Sequence, residues 1–439
     1  MKKVINFIKE NSLLDKKNIL VAVSGGVDSI ALLHFLLSLK DTENLNLAAL
    51  HFEHGIRGEE SKEDAAFVQS YCESNNVRCF MGEGNVPKYA EEHKITTEMA
   101  ARILRYAFFE KILQREHFDV IATAHHADDQ AETVILNLLR GSGIKGLAAM
   151  RPARDYIIRP FLCVAKTEIL EYAKKNNLEY REDSTNNSNE YRRNRIRHEL
   201  LPLLETYQAG VKERLTTLAE IARDENDYIE SIAKSKIHLL QAENSEKFKL
   251  EPPAMERRII LSFLEEKNIA TDFTHIEEIR KILVKGEKGK RVEISGDTFA
   301  EFSYNGLQII REENIPSEKI LKIPGENILE DFHIKIIVKI LDKIPEKTRP
   351  NEYYADLDEI NGAVGVRTRA DGDKIELAFG KKSVKKIFME EKIDRSRRNK
   401  YPMIFFGTNV LWIPLLRRSV FGKPTKTTKR ILYMKVEEI

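Results

Sequence analysis

Six residues, Ser24-Gly25-Gly26-Val27-Asp28-Ser29, limit what this chain can fold into more than any others. Ahead of them runs Asn18-Ile19-Leu20-Val21-Ala22-Val23, an apolar, β-branched stretch that reads as a buried strand. Behind them Ile30, Leu32, Leu33, Leu36 and Leu37 recur at helical spacing. A Gly-Gly turn between a buried strand and a helix N-terminus leaves backbone N–H groups without internal partners. With the positive helix end and two hydroxyls, those donors form a cradle for an anion. An ordinary Ser/Gly turn is the plain alternative, and the strand before and helix after argue against it.

The loop is neither G-x-x-x-x-G-K-[ST] nor G-x-G-x-x-G, so a kinase-type phosphate loop and a dinucleotide fingerprint are both excluded. It resembles the pyrophosphate loop of the ATP-pyrophosphatase superfamily, whose members split ATP between its α- and β-phosphates and adenylate an acceptor. The resemblance makes Ser24, Gly25, Gly26, Val27, Asp28 and Ser29 ATP-binding residues and leaves the acceptor open.

With 439 residues the chain exceeds one hydrophobic core and implies two to four domains. No apolar run approaches membrane-spanning length, and the opening Met-Lys-Lys-Val-Ile-Asn-Phe-Ile-Lys breaks too soon for a signal peptide, so a cytoplasmic setting is expected. Cys72, Cys79 and Cys163 form no C-x-x-C pair, which argues against a zinc ribbon or structural disulfide. Net charge is +2 but unevenly spread. From Asn361 onward 19 Lys and Arg face 8 Asp and Glu, a balance of +11 that leaves −9 on the first 360 residues. An acidic body with a basic tail suggests a polyanionic partner docked mainly by the tail.

Strand candidates at 19–23, 45–50, 77–80 and 120–123 alternate with helical patterns at 27–39, 61–74 and 97–114. This predicts an α/β fold with a doubly wound parallel sheet. Ligand-binding residues in such sheets lie beyond the carboxyl ends of the strands, which gathers residues 24–29, 51–57 and 125–129 on one edge. A long helix is expected over 207–240 and shorter ones over 254–266 and 273–284, making the middle a helical module that breaks into strands near 313. The last hundred or so residues mix short strands with basic loops, a small α+β domain.

Three further segments carry chemistry. His51 and His54, followed by Gly55-Ile56-Arg57, suit a position beside nucleotide or phosphate, since no third metal ligand follows at a convincing spacing. Glu98, Arg102, Arg105 and Tyr106 share one side of a helix; either a salt-bridged solvated face or arginines aimed at triphosphate or RNA phosphate fits. His125-His126-Ala127-Asp128-Asp129-Gln130-Ala131-Glu132-Thr133 places two histidines at a strand end and two aspartates at the next helix start. Those carboxylates suit Mg²⁺ completed by substrate phosphates, or an incoming ammonium. Adjacent helical residues point about 100° apart, which favours Asp128 for the amine and Asp129 for the metal. The helix runs into Gly141-Ser142-Gly143-Ile144-Lys145-Gly146, a loop able to close over a ligand.

Taken together, these motifs resemble tRNA(Ile)-lysidine synthetase, as do Arg159-Pro-Phe-Leu followed by Lys166, Glu182–Asn186, Tyr191-Arg192-Arg193-Asn194-Arg195-Ile196-Arg197, Val366–Asp373 and Trp412-Ile-Pro414. The resemblance spans almost the whole chain. It implies an adenine nucleotide hydrolase-like catalytic domain at 1–205, a mainly helical tRNA-contacting domain at 206–313 and a basic tRNA-binding domain at 320–439. It further implies that ATP adenylates the wobble cytidine of an isoleucine tRNA with a CAU anticodon, and that free L-lysine then displaces AMP to form lysidine. A homodimer is compatible with it. Asp28, Asp128, Asp129, Glu132 and Lys145 become the catalytic set, with Mg²⁺ on Asp28 and Asp129. His51, His54, Arg57 and His125 join the ATP site. Glu98, Arg102, Arg105, Arg192, Arg193, Asn194, Arg195, Arg197, Arg367 and Arg369 become RNA contacts. A lysine amine with pKa near 10.4 is almost wholly protonated at neutral pH, so the site must bind ammonium and also deprotonate it. The alternative inside the superfamily is a tRNA base thiolase, which would need paired reactive cysteines.

Overall fold

The computed structural model describes residues 1–55, 59–181, 192–311, 315–343 and 348–439. These form two compact units, Met1–Tyr228 and Ile229–Ile439.

The first unit opens with α1 (Lys2–Glu10) and then alternates as its hydrophobic pattern predicts. The elements are β1 (Asn18–Ala22), α2 (Val27–Glu43), β2 (Asn46–Glu53), α3 (Glu59–Ser74), β3 (Arg78–Glu83), α4 (Val86–His93), α5 (Thr97–Arg115), β4 (Val120–Ala122) and α6 (Ala127–Leu139). After α7 (Ile144–Leu147) come two-residue strands β5 (Ala153–Arg154) and β6 (Ile157–Ile158), then α8 (Lys166–Lys175). The six strands form one sheet in the order β3-β2-β1-β4-β6-β5, parallel except for the β5–β6 hairpin. From β1 the chain winds outward through β2 and β3, then returns to the other side of β1 to lay down β4. The switch point therefore lies between β1 and β4, where a doubly wound sheet opens a crevice beyond its carboxyl edge. Residues 24–29 leave β1 and residues 123–129 leave β4, so the two strongest motifs flank that crevice.

Apolar clusters cover both faces of the sheet. Ile19, Val21, Ile30, Leu33, Leu36 and Phe161 pack on one side, and Leu20, Leu50, Phe109, Ile112 and Ile121 on the other. The burial of β1 on both sides explains why its sequence is a continuous apolar run rather than an alternation.

Beyond α8, the short α9 (Arg192–Arg195) passes into a π-helical turn over Ile196–Leu200 and then α10 (Leu201–Tyr207). The helix expected over 207–240 is shorter: α11 spans Val211–Ser235, followed by a 3₁₀ turn at Ile237–Leu240. Gly210 breaks it at the front, with φ of +74° outside the helical range, where glycine is unstrained.

In the second unit, α12 (Ser245–Phe248), α13 (Pro253–Glu266) and α14 (Phe273–Lys285) pack with the antiparallel β7 (Arg291–Ser295), β8 (Thr298–Ser303) and β9 (Gly306–Arg311) around Phe248, Ile259, Ile279 and Phe302. The remainder contains β10 (Lys319–Ile320), β11 (Gly325–Leu329), β12 (Ile334–Leu341), β13 (Glu352–Asp356), β14 (Val364–Arg367), β15 (Lys374–Leu377), β16 (Gly380–Ser383), α15 (Val384–Glu390), α16 (Arg395–Arg398), β17 (Met403–Phe406), β18 (Asn409–Ile413), β19 (Arg417–Arg418) and β20 (Ile431–Glu438). One sheet runs β11-β12-β20-β13; the other runs β10-β14-β17-β18-β15-β16, with β19 on β18. The core contributed by both sheets holds Trp412 stacked on Tyr353 at 5.7 Å, both almost fully buried.

Candidate active site

The cradle is built from its own hydroxyls. Ser29 Oγ donates to the Gly26 carbonyl at 2.9 Å and accepts the Ser24 N–H at 3.1 Å, and the two serine hydroxyls lie 3.2 Å apart. Gly25 has φ of +90°, a conformation other residues reach only with strain, although a Cβ there would meet only ordinary contacts. No side chain caps α2, so the first-turn N–H groups of this 17-residue helix face the crevice with the positive end of its dipole. Val27 is buried and anchors the turn in the core.

Asp28, in the first turn of α2, is gripped by Lys166 from the start of α8, whose Nζ lies 2.7 Å from both carboxylate oxygens. The Lys166 backbone N–H donates to Asp128 Oδ2 at 2.8 Å, and Lys212 Nζ reaches Asp128 Oδ1 at 2.6 Å. Asp129 Oδ2 caps its own helix by accepting the His126 N–H at 3.0 Å. His126, nearly fully buried, stands among all three: Nε2 is 3.8 Å from Asp28 and 3.5 Å from Asp129, and Nδ1 is 3.6 Å from Asp128.

Arg193 of α9 and Arg197 of the π-helical turn that follows it supply the remaining cations. Arg193 donates to Glu132 Oε2 at 2.7 Å and to Asp129 Oδ1 at 3.0 Å; Arg197 donates to Glu132 Oε1 at 2.5 Å and to Asp129 Oδ1 at 3.1 Å. Ile196, between them, points the other way into a small core with Ala131, Ile135 and Leu201, which fixes the turn against α6. Four carboxylates thus meet four cations at one sheet edge: Asp28, Asp128, Asp129 and Glu132 against Lys166, Lys212, Arg193 and Arg197. Burial pushes Asp128 upward, but Lys212 and the Lys166 N–H outweigh it and its pKa falls below the usual range. Asp129 behaves alike: burial raises it, and His126, Arg193 and His125 lower it further. Glu132, 1% exposed, has both oxygens taken by guanidiniums.

Both flanking histidines are held neutral. Burial lowers His51, whose Nδ1 lies 2.9 Å from the Val23 carbonyl; Nδ1 is therefore the protonated nitrogen and Nε2 carries the lone pair. Burial likewise pushes His125 down to about 4, with Arg159, Arg193 and Arg105 adding repulsion, while its Nδ1 bonds Thr123 Oγ1 at 2.9 Å.

Other expected residues are placed less directly. Thr96 caps α5 through the Met99 N–H, and Glu98 lies exposed in the first turn. Arg102 and Arg105 both cover the Tyr106 ring, at 4.8 and 5.6 Å. The His54 ring packs edge-on against Phe52 at 5.1 Å. Lys145 is exposed on α7; Arg192 and Arg195 are exposed on α9, where Asn194 is half-buried. Arg57 and residues 182–191 lie outside the described residues. Arg367 and Arg369 belong to the second unit. There Arg367 forms a bidentate pair with Asp373 at 2.7 and 2.8 Å, and Arg369 lies 3.6 Å from Asp371. Lys212 was not expected, since it sits on an ordinary amphipathic helix with no motif around it. Lys166 was visible only as part of the family pattern.

Comparison with known proteins decides the family. A PP-loop domain model matches residues 1–204, and a TilS substrate C-terminal domain model matches residues 364–433. A tRNA(Ile)-lysidine synthase of Clostridium acetobutylicum is 35% identical over 99% of this chain and 98% of its own length. The chain belongs to the tRNA(Ile)-lysidine synthase family. Another member, from Caldanaerobacter subterraneus subsp. tengcongensis, is 32% identical over 98% of this chain and 96% of its own. Among solved structures, a U34-tRNA thiolase from Methanococcus maripaludis with its [4Fe-4S] cluster covers 50% of this chain and 78% of its own, with 20% identity and a TM-score of 0.43.

Proposed function

We propose that this protein adenylates the wobble cytidine of an isoleucine tRNA bearing a CAU anticodon and replaces AMP with free L-lysine, forming lysidine. The observation that carries the reading is the meeting of the Gly-Gly cradle with the Asp128–Glu132 block across the β1/β4 switch point, joined through His126. The α2 N-terminus and residues 24–29 hold the triphosphate, with neutral His51 and His125 beside it as hydrogen-bonding partners. His54 and Arg57 complete the nucleotide side.

The donor set suits Mg²⁺: Asp28 and Asp129 turn carboxylate oxygens toward the same imidazole nitrogen, and a hard cation completes its shell with phosphate and water. When bound, Mg²⁺ neutralises charge on the departing pyrophosphate. Lys166, Arg193 and Arg197 add positive charge on the protein side, and Lys145 lies on α7, the short helix that follows α6. For the second step an acidic corner must receive the lysine ammonium and take its proton. Both oxygens of Asp128 are occupied, by Lys212 and the Lys166 N–H, so Asp128 receives the amine by exchange with the Lys212 ammonium.

RNA is held by Glu98, Arg102, Arg105, Arg192, Asn194 and Arg195 near the site and by the exposed basic side chains of the second unit, whereas Arg367 is taken up by its own pair with Asp373. The division into 1–205, 206–313 and 320–439 is supported by separate cores around Ile259 and Trp412. Among the described residues no helix is long and apolar enough to cross a membrane, and the three cysteines are free thiols; the reading puts the reaction, with its tRNA and ATP, in the cytoplasm, and a homodimer is compatible with it. A thiolase reading finds little support. Cys72 is buried in the core near the end of α3, and Cys79 lies near the start of β3, at the end of that strand opposite the crevice.

Incubating the protein with ATP, labelled lysine and unmodified tRNA tests the reading. Lysine should enter only the CAU-anticodon isoleucine tRNA, with one AMP and one pyrophosphate released per lysine. Without lysine, adenylated tRNA should accumulate. Absence of lysine incorporation, with AMP released to another acceptor, would refute it. Asp128→Asn should spare adenylation and impair lysine transfer, whereas Asp129→Asn should impair both.

A further inference from the structure

We propose that Arg102, Arg105 and Arg159 form a subsite for one phosphate group of the substrate. The inference rests on the function proposed above and adds Arg159, which no motif assigned to a ligand. Arg159 is only 8% exposed; its Nη1 donates to the Arg151 carbonyl at 2.8 Å, yet its buried Nε has no hydrogen-bond partner. Arg102 and Arg105 lie over one ring, Tyr106, and among the described residues none of the three arginines forms an ion pair with a carboxylate. Glu98, one turn before Arg102, is exposed and unpaired with it, so the salt-bridged helix face that would explain the sequence pattern is not formed.

Arg193 and Arg197 make the contrast, because each is matched to carboxylates. Buried guanidiniums without a counter-ion are costly, and an arriving phosphate removes that cost with charge-assisted, often bidentate, hydrogen bonds. Burial holds both Arg105 and Arg159 below the usual arginine range, and repulsion from Arg102 adds to it in each, which sets Arg102 beside both. Arg159 follows β6 and His125 follows the neighbouring β4, so the cluster borders the carboxyl edge of the sheet. Exposure falls from Arg102 at the surface, through half-buried Arg105, to buried Arg159. The group they receive therefore enters from solvent.

A phosphate here belongs either to the RNA backbone or to the nucleotide, and two measurements on the full chain separate the sources. Arg159→Gln and Arg102→Gln are compared with wild type for tRNA affinity across a salt series and for ATP affinity without tRNA. If the phosphate is RNA, tRNA affinity falls about tenfold, the slope of log affinity against log salt drops by about 0.7–0.9, and ATP affinity stays. If it is the nucleotide's, ATP affinity falls about tenfold and the salt slope stays. Unchanged tRNA and ATP affinities in a folded variant would overturn the subsite. Arg102 is exposed, so its variant decides the question should Arg159→Gln fail to fold, and Arg159→Lys should restore part of the affinity. Failure of wild type to modify tRNA would instead count against the proposed function, independently of these variants.

Discussion

In the first unit the residues singled out by motif converge: Asp28, Asp128, Asp129 and Glu132 meet Lys166, Lys212, Arg193 and Arg197 beyond one sheet edge. In the second unit the motif arginines turn inward instead. Arg367 clasps Asp373, bonds the Thr368 carbonyl and covers Phe405, closing the 367–373 turn on itself. The exposed charge of that unit comes from residues without a motif, such as Lys385 and Lys386, which are exposed on α15 while Val384, Ile387 and Phe388 fill the core. A motif thus marks constraint of either kind: in one unit the constraint is chemistry, in the other it is construction of a turn. RNA attraction through a diffuse positive surface needs no fixed spacing and leaves no pattern.

The largest effect expected to test this contrast is at Asp28. Asp28→Asn should lower pyrophosphate release by about 10³-fold while thermal unfolding stays near wild type. A near-normal rate would reduce Asp28 to a turn residue like Arg367. Next, Arg367→Leu leaves the largely buried Asp373 carboxylate unpaired and should destabilise the second unit by about 2–4 kcal/mol in urea unfolding. The salt dependence of tRNA binding should not change. A lower salt slope with unaltered stability would make Arg367 an RNA contact and erase the contrast.

Replacing both Lys385 and Lys386 with Gln should do the reverse. Stability should stay within about 0.5 kcal/mol, and the salt slope should fall by about 0.7–0.9 for each lysine that meets a phosphate. The smallest effect concerns His125. Its folded pKa is about 4 against an ordinary value of 6.5, so the unfolded chain takes up its proton first as pH falls. Stability is therefore greatest above pH 6.5 and declines from there toward pH 4, and His125→Gln should flatten that window in pH-dependent denaturant titrations. An unchanged profile would mean that the imidazole is solvated.

The four strands expected in the first unit lie within a few residues of β1 to β4, because each is a short apolar run between turn signals. The β5–β6 hairpin was not legible, since two-residue strands carry no periodicity. Strand order was not legible either, although the rule for open α/β sheets was enough to collect the motifs on one edge. The carboxylates of the site could be read because Asp128, Asp129 and Glu132 cluster in the first turns of one helix and Asp28 belongs to the Gly-Gly loop motif. Their partners could not: Lys212 lies 84 residues from Asp128 and is one lysine among many on a solvated helix face. The expected 207–240 helix erred by reading through Gly210, a stop visible in the sequence but outweighed by the apolar spacing behind it.

The position of β20 has a consequence for how the protein is made. This strand, residues 431–438, lies between β12 and β13 and pairs with both, so every other strand of its sheet leaves the ribosome before the one that joins them. Until then β12 and β13 have exposed edges and their apolar faces, including Ile336 and Tyr353, lack Leu432 and Met434. The first unit has all six strands of its own sheet by residue 158, long before β20 begins at 431. During each round of synthesis there is therefore an interval when that sheet can close while the second unit still depends on chaperones, and a ribosome stalled shortly before residue 431 leaves a chain marked for proteolysis by its unpaired strands.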